Sequence, residues 1–366
     1  MNMFYFIIAG TALLFIGHLV VYLAFVSIFH KFAEKNLKLL RIVFLILTSS
    51  FFIAMFFSSK ELSFFSGMFY LLSMVWMGFL FYLSIASLIY FFFLFFQKYF
   101  FERIPIVLIG KICFVLAIWV GIYGIYHAND LKVTKYDVYL SDLPSSWKGR
   151  TAVFLSDMHI GPIRKKEFVK KVSQKIFELN PDIIFDAGDL FDGPKVEASD
   201  LISPLARLNP PLGYYFVTGN HEEYGDTNEF KKAISESGMK ILSDESIEIQ
   251  GMQIIGVEYA TTTTPLELST VLEKTIKDEM PSILIKHVPF DLDIAEKYGI
   301  DLQLSGHTHR AQMFPLNFIT KAIYHGYDYG LNQFAFMKVL VTDGVGTWGP
   351  PMRVGTNSEI VLITFK

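Results

Sequence analysis

Apolar residues run almost unbroken through the first 128 positions and then give way to short alternations. Residues 1–30 contain no Asp, Glu, Lys or Arg, and further charge-free runs cover 42–59, 62–97 and 112–129, the last with an apolar lead-in at 104–110. Each run can cross a hydrocarbon core of about 30 Å as a helix. None offers the polar face at helical spacing that a soluble bundle requires. The third run is longer than one crossing needs but contains no Pro, so it predicts one long or tilted helix rather than a hairpin. A cleaved signal would show a basic leader and a small-residue cleavage site, and neither is evident. The pattern predicts four transmembrane helices over 1–128 and a second domain over 129–366.

That second domain reads as strands alternating with amphipathic helices. Strands are expected at 131–140, 151–156, 183–187, 213–218, 282–286, 302–304, 338–342 and 359–365, with two or three more between 241 and 259. Helices are expected at 165–179, where Phe168, Val172, Ile176 and Leu179 recur at helical spacing, and at 201–208, 229–237, 266–277 and 291–298. Alternation with an antiparallel portion implies a layered α/β or α+β fold.

Charge adds orientation. The first connection carries Lys31, Glu34, Lys35, Lys38 and Arg41; Lys60 and Glu61 form the second, and Lys98, Glu102 and Arg103 the third. The Lys/Arg excess of the first and third places them in the cytoplasm, and the domain after residue 129 outside it. His18 is the ionisable side chain inside the first span, expected to be neutral and hydrogen-bonded. Lys111 is expected to reach the interface. The net charge of −3 leaves no basic footprint for nucleic acid. The single cysteine, Cys113, forms no intrachain disulfide or thiolate metal site.

The chemistry sits where strands run out. Asp157 and His159 close the 151–156 strand, and at i, i+2 in an extended segment they would share a face. Gly188, Asp189 and Asp192 follow the next strand, Gly219, Asn220, His221 and Glu222 the one after. Lys286 and His287, and then Gly306, His307, Thr308 and His309, follow two more. Strand ends are where ligands bind in open α/β sheets, and glycine before Asp189, Asn220 and His307 permits the turn. Singly, each group reads as a turn or a satisfied polar residue. Five of the nine histidines gathered at successive strand ends do not.

In this order the motifs Asp-x-His, Gly-Asp-x-x-Asp, Gly-Asn-His-Glu, a lone His and Gly-His-x-His resemble the calcineurin-like metallophosphoesterases, over roughly residues 150–366. The run of spans and the ending at 346–353 resemble bacterial membrane-anchored members. The resemblance implies two packed β-sheets flanked by helices. It implies a first metal on Asp157, His159 and His309, a second on Asn220, His287 and His307, and Asp189 bridging them. Mixed N/O donors without thiolate suit Mn²⁺ foremost, with Fe or Zn²⁺ as alternatives. Hydroxide held between two such ions would attack phosphorus directly, as a phosphatase or phosphodiesterase does. His221 is then the candidate acid for the leaving oxygen rather than a ligand. Asp192 and Glu222 are expected to orient ligand imidazoles.

Many relatives follow Gly-His-x-His with two glycines, where this chain has Arg310 and Ala311. Arg310 is left between a phosphate contact and a solvent-facing position. The apolar run 313–319 reads as a core element or as a lip dipping into a lipid interface. A tethered site favours an amphiphilic or lipid-linked phosphoester in a bacterial cytoplasmic membrane. With the opposite orientation, a cytoplasmic hydrolase of the UDP-diacylglucosamine type becomes the alternative. A metal-dependent sensor or scaffold without turnover is the alternative from another class. Oligomeric state is not legible.

Overall fold

The computed structural model describes residues 3–58, 64–100, 105–193, 197–277 and 280–366. Contacts divide them into two units. One holds the described residues within Met1–Ser58, Ser63–Tyr126 and Gly349–Met352; the other holds those within His127–Trp348 and Arg353–Lys366.

The first unit contains four long apolar helices: α1 (Met3–Ile28), α2 (His30–Ser58), α3 (Phe64–Phe100) and α4 (Ile106–His127). Each is long and apolar enough to cross a membrane. Helix α3 has 37 residues, about 55 Å at the helical rise, and is one continuous rod as its Pro-free sequence predicts. The charged connection expected between the first two spans is itself helical. Lys31 through Arg41 form the opening turns of α2, because Lys, Glu and Arg are good helix formers. Only Asn36 leaves helical geometry (φ −125°, ψ 21°), its side-chain amide donating back to the Phe32 carbonyl at 2.9 Å. Lys60, Glu61, Glu102 and Arg103 lie outside the described residues. His18 has its partners: Nδ1 donates to the Leu14 carbonyl at 2.8 Å and Nε2 accepts from Trp76 Nε1 at 2.9 Å, an arrangement that fits the neutral ring. Lys111 lies over the Phe29 ring.

The second unit is built on two six-stranded mixed sheets. The first sheet runs β1 (Leu131–Val138), β12 (Ser358–Phe365), β2 (Thr151–Leu155), β3 (Ile183–Asp186), β4 (Tyr214–Phe216), β5 (Lys240–Ile241). The second runs β10 (Gly330–Phe334), β11 (Met337–Val341), β9 (Leu302–Ser305), β8 (Ser282–Lys286), β7 (Met252–Val257), β6 (Glu245–Ile249). Alternation along the strands sorts the core. Ala152, Phe154, Ile183 and Phe185 face Ile254, Ile283, Ile285 and Leu304 between the sheets. Val153, Leu155 and Ile184 face the other way, into Val169, Val172 and Ile176 of α5 (Lys166–Leu179). The second sheet is covered by α9 (Pro265–Thr275) and α10 (Leu292–Lys297) through Leu268, Leu272 and Ala295. Central strands buried on both faces explain their continuous apolar sequences.

The parallel neighbours β2, β3 and β4 end on one edge of the first sheet, as β8 and β9 do in the second. The motif-bearing loops therefore emerge together. Between them lie α6 (Ala198–Ile202), α7 (Asn220–Tyr224), α8 (Thr227–Glu236) and α11 (Asn317–Ile323). Helix α7, strand β10 and α11 carry no periodic signal long enough to read from sequence.

Candidate metal centre

The expected ligands converge. His159 Nε2 lies 2.9 Å from His309 Nε2, and Asp157 Oδ1 lies 3.3 Å from His309 Nε2. On the other side, His287 Nε2 lies 3.2 Å from His307 Nδ1 and 3.1 Å from Asn220 Oδ1. Asp189 Oδ2 stands between, 3.8 Å from His159 Nε2 and 3.2 Å from His287 Nε2. Two metal-sized groups of donor atoms thus share one carboxylate. A third grouping joins His159, Asp189 and His221.

The backbone that achieves this is not the extended segment expected for Asp157 and His159. Strand β2 stops at Leu155, and both residues take positive φ (56° and 48°), as do Asp189 (55°), His307 (69°) and His309 (45°). Left-handed conformations in non-glycine residues are costly and persist where the surroundings over-determine them. Two glycines work for different reasons. Gly188 has a φ of +91°, the turn expected from sequence. Gly219 is instead a close approach, since a Cβ there would collide with Asp189 Oδ1.

The donor set fits divalent cations. Burial, with neighbouring His221, His309 and His287, pushes His159 well below its usual range, and burial beside Arg353 does the same to His309. Two neutral imidazole nitrogens therefore face each other at hydrogen-bond distance. The buried Asp157 Oδ1 and His159 Nδ1 have no hydrogen-bond partner. Burial opposes the charge of Asp189, yet the His287 ring bonded to it, with His221 and His159, holds its carboxyl well below the usual range. His287 Nδ1 lies 2.7 Å from the Ala187 carbonyl, which directs the Nε2 lone pair inward.

The surrounding polar residues differ from expectation. Asp192 does orient an imidazole, but that of His221, with Oδ1 3.2 Å from Nδ1. Burial disfavours charge on His221, but the hydrogen bond to Asp192 and the charges of Asp189, Asp192 and Glu222 lift it to about 9. Glu222 touches no ligand imidazole. Its fully buried carboxylate accepts the backbone N–H groups of Asp189 and Gly219 (2.9 and 2.8 Å) and of Leu190 and Phe191 (2.9 and 3.2 Å). It thereby ties two ligand loops together. Glu222→Gln would turn a donor toward those N–H groups, and metal affinity should fall about 10–100-fold, measurable by calorimetric titration with Mn²⁺. An unchanged affinity would remove Glu222 from the support of the site.

Arg310 is committed elsewhere. Its guanidinium stacks 4.3 Å from the Tyr329 ring centroid, donates to the Gly355 carbonyl and lies 3.7 Å from Asp343. Arg310 and Ala311 take φ of 48° and 57°, a region that favours glycine. Of the run 313–319, only Met313 is core; Phe314, Phe318 and Ile319 are 49%, 62% and 55% exposed. Three sets of contacts lie beyond the sequence reading, in which Asp186 is no more than a polar strand residue. The buried Asp186 receives the Tyr214 hydroxyl at 3.0 Å. The buried Arg353 caps the Asp343 and Gly346 carbonyls at 2.6 and 2.7 Å, behind His309. Gln312 clamps the Trp348 backbone through both amide atoms at 2.8 Å, and the Trp348 ring lies beside His221. No spacing rule reaches such long-range partners.

Comparison with known proteins agrees with this geometry. Residues 150–311 match the calcineurin-like phosphoesterase family model. An uncharacterized metallophosphoesterase of Aquifex aeolicus is 34% identical over 263 residues, 69% of this chain and 98% of that protein. One from Campylobacter jejuni is 30% identical over 267 residues, 71% of each. A transmembrane protein with metallophosphoesterase domain from Danio rerio is 30% identical over 269 residues, 67% of this chain and 60% of that one.

Proposed function

The chain belongs to the calcineurin-like metallophosphoesterase family and is a metal-dependent phosphoester hydrolase, and we propose that it cleaves an amphiphilic or lipid-linked phosphoester with two divalent ions. Asp157, His159 and His309 would hold one ion, Asn220, His287 and His307 the other, and Asp189 would serve both. The observation that carries this is Asp189 Oδ2 set between the two donor groups. When bound, the ions supply Lewis acidity toward the phosphoryl oxygens and lower the pKa of water. Mn²⁺ is our first choice for this donor set, ahead of Fe or Zn²⁺.

The chain's own residues do the rest. Asp192 holds His221 at Nδ1, which leaves Nε2 to deliver a proton to the leaving oxygen. The protonated ring also adds positive charge near the phosphoryl group. Trp348 closes one side of His221, and Tyr224 stands on another.

Two observations support an amphiphilic substrate. Four helices suit a membrane, and α11, eight residues after His309, buries none of its residues while exposing Phe318, Ile319 and Ile323. Phe314 and Phe318 together should gate acyl length. In the double change to serine, KM for a long-chain phosphoester should rise about tenfold, as loss of an apolar contact implies, with kcat on a short soluble ester unchanged. Equal effects on both substrates would refute the lip. The charge excess of the first connection supports an extracytoplasmic site in a bacterial cytoplasmic membrane. Digestion of the domain in sealed right-side-out vesicles tests that orientation.

A further inference from the structure

We propose that the basic face of α5 docks on the anionic head groups of the bilayer that this chain inhabits. Lys166, Lys170, Lys171 and Lys175 of α5, with Lys165 just before it, fall within eleven residues, opposed there by Glu167 alone. The helix does not stand at a random place on the domain. Lys171 Nζ donates to the Asn129 carbonyl at 2.5 Å and Lys175 Nζ to the Leu131 carbonyl at 2.7 Å. Arg164 donates to the Ala128 carbonyl at 2.8 Å and to Asn129 Oδ1 at 2.7 Å.

Those acceptors lie one to four residues beyond the end of α4 at His127. A chain reaches at most about 3.6 Å per residue, so the Lys171 ammonium is within about 10 Å of the last helical residue. Trp119, Tyr123 and Tyr126 in the final turns of α4 are 65%, 50% and 78% exposed, the aromatic belt that marks a membrane–water interface. Chain connectivity thus keeps the Lys171 ammonium within about one Debye length of the residue where α4 ends.

The surface fits that partner. An open groove of about 800 Å³ runs beside α5, with Lys166, Lys170 and Lys171 on one wall and Arg207 on the other. Phe177, on the same helix, is 68% exposed. A basic helix with an exposed aromatic suits a lipid interface better than a free anion. The ion pairs Lys166–Asp200 and Lys170–Glu167 are on the surface and weak enough to exchange for head groups.

Lysine labelling tests this on the unaltered full chain. The protein is placed in nanodiscs of phosphatidylcholine alone, or mixed with phosphatidylglycerol, and its lysines are acetylated at limiting reagent. Labelling of Lys165, Lys170 and Lys171 should fall about fivefold in the anionic discs, given the attraction each basic residue feels there. It should recover at about 1 M salt, where the Debye length is about 3 Å. Lys274 and Lys297, exposed on the helices over the second sheet, should not change. No difference between discs, or equal slowing of all lysines, overturns the proposal. So does protection in neutral discs by soluble glycerol phosphate or by a short RNA, which would reassign the face to a free anion or to nucleic acid. None of these outcomes depends on the substrate of the metal centre.

Discussion

Asp189→Asn is expected to abolish hydrolysis and to reduce the divalent ions held per chain. Asp189 Oδ2 is the atom placed between the two donor groups, and Oδ1 simultaneously accepts the His221 backbone N–H at 2.8 Å. Asparagine keeps the size but presents one neutral oxygen and an N–H₂ group, which cannot face two cations. Outer partners of ligands cost about 10–100-fold; a carboxylate shared by two ions should cost more, at least about 10³-fold, or roughly 4 kcal/mol of barrier. Metal content by mass spectrometry and turnover in the same preparation give the answer. Two tightly held ions with normal turnover would end the shared-carboxylate assignment.

His221→Ala separates chemistry from metal binding. The ring is paired with Asp192, and the residue's hydrogen bond to a ligand is its backbone N–H on Asp189, which alanine retains. The ions should therefore stay while kcat falls about 10²–10⁴-fold, the usual worth of a positioned general acid. The pH profile carries the sign. His221 is raised to about 9, so the acid is present at neutral pH and lost as pH rises through that value. The wild type should show a basic limb near there. Asp192→Asn removes the negative charge and weakens the hydrogen bond that raise the ring, so that limb should move to lower pH. A basic limb unmoved in the asparagine variant would show that it belongs to another group.

The legible parts share one property: they are written in neighbouring residues. Uninterrupted apolar runs specified the four long helices, because the bilayer penalises every exposed backbone group. Short continuous apolar runs specified β2 and β3, because central strands bury both faces, and 3.6-residue spacing specified α5, because a surface helix must turn one face to a core. Glu222 shows where this stops. Its neighbours in sequence suggested an imidazole partner, whereas its carboxylate collects amides from Asp189, Leu190 and Phe191, more than thirty residues away.

Sequence by itself determined the apolar spans, the strand–helix order and the identity of the residues that gather at the metal centre. All of these follow from local periodicity, from composition and from motif order. Tertiary structure decided how the gathered residues are used. It set Asp157 and His159 on left-handed turns instead of an extended edge, bound Asp192 to His221, and turned Arg310 onto Tyr329. It also brought α5 to the carbonyls that follow α4. Contacts between distant segments depend on how two sheets and their helices close over one another, and no local pattern in the chain encodes that closure.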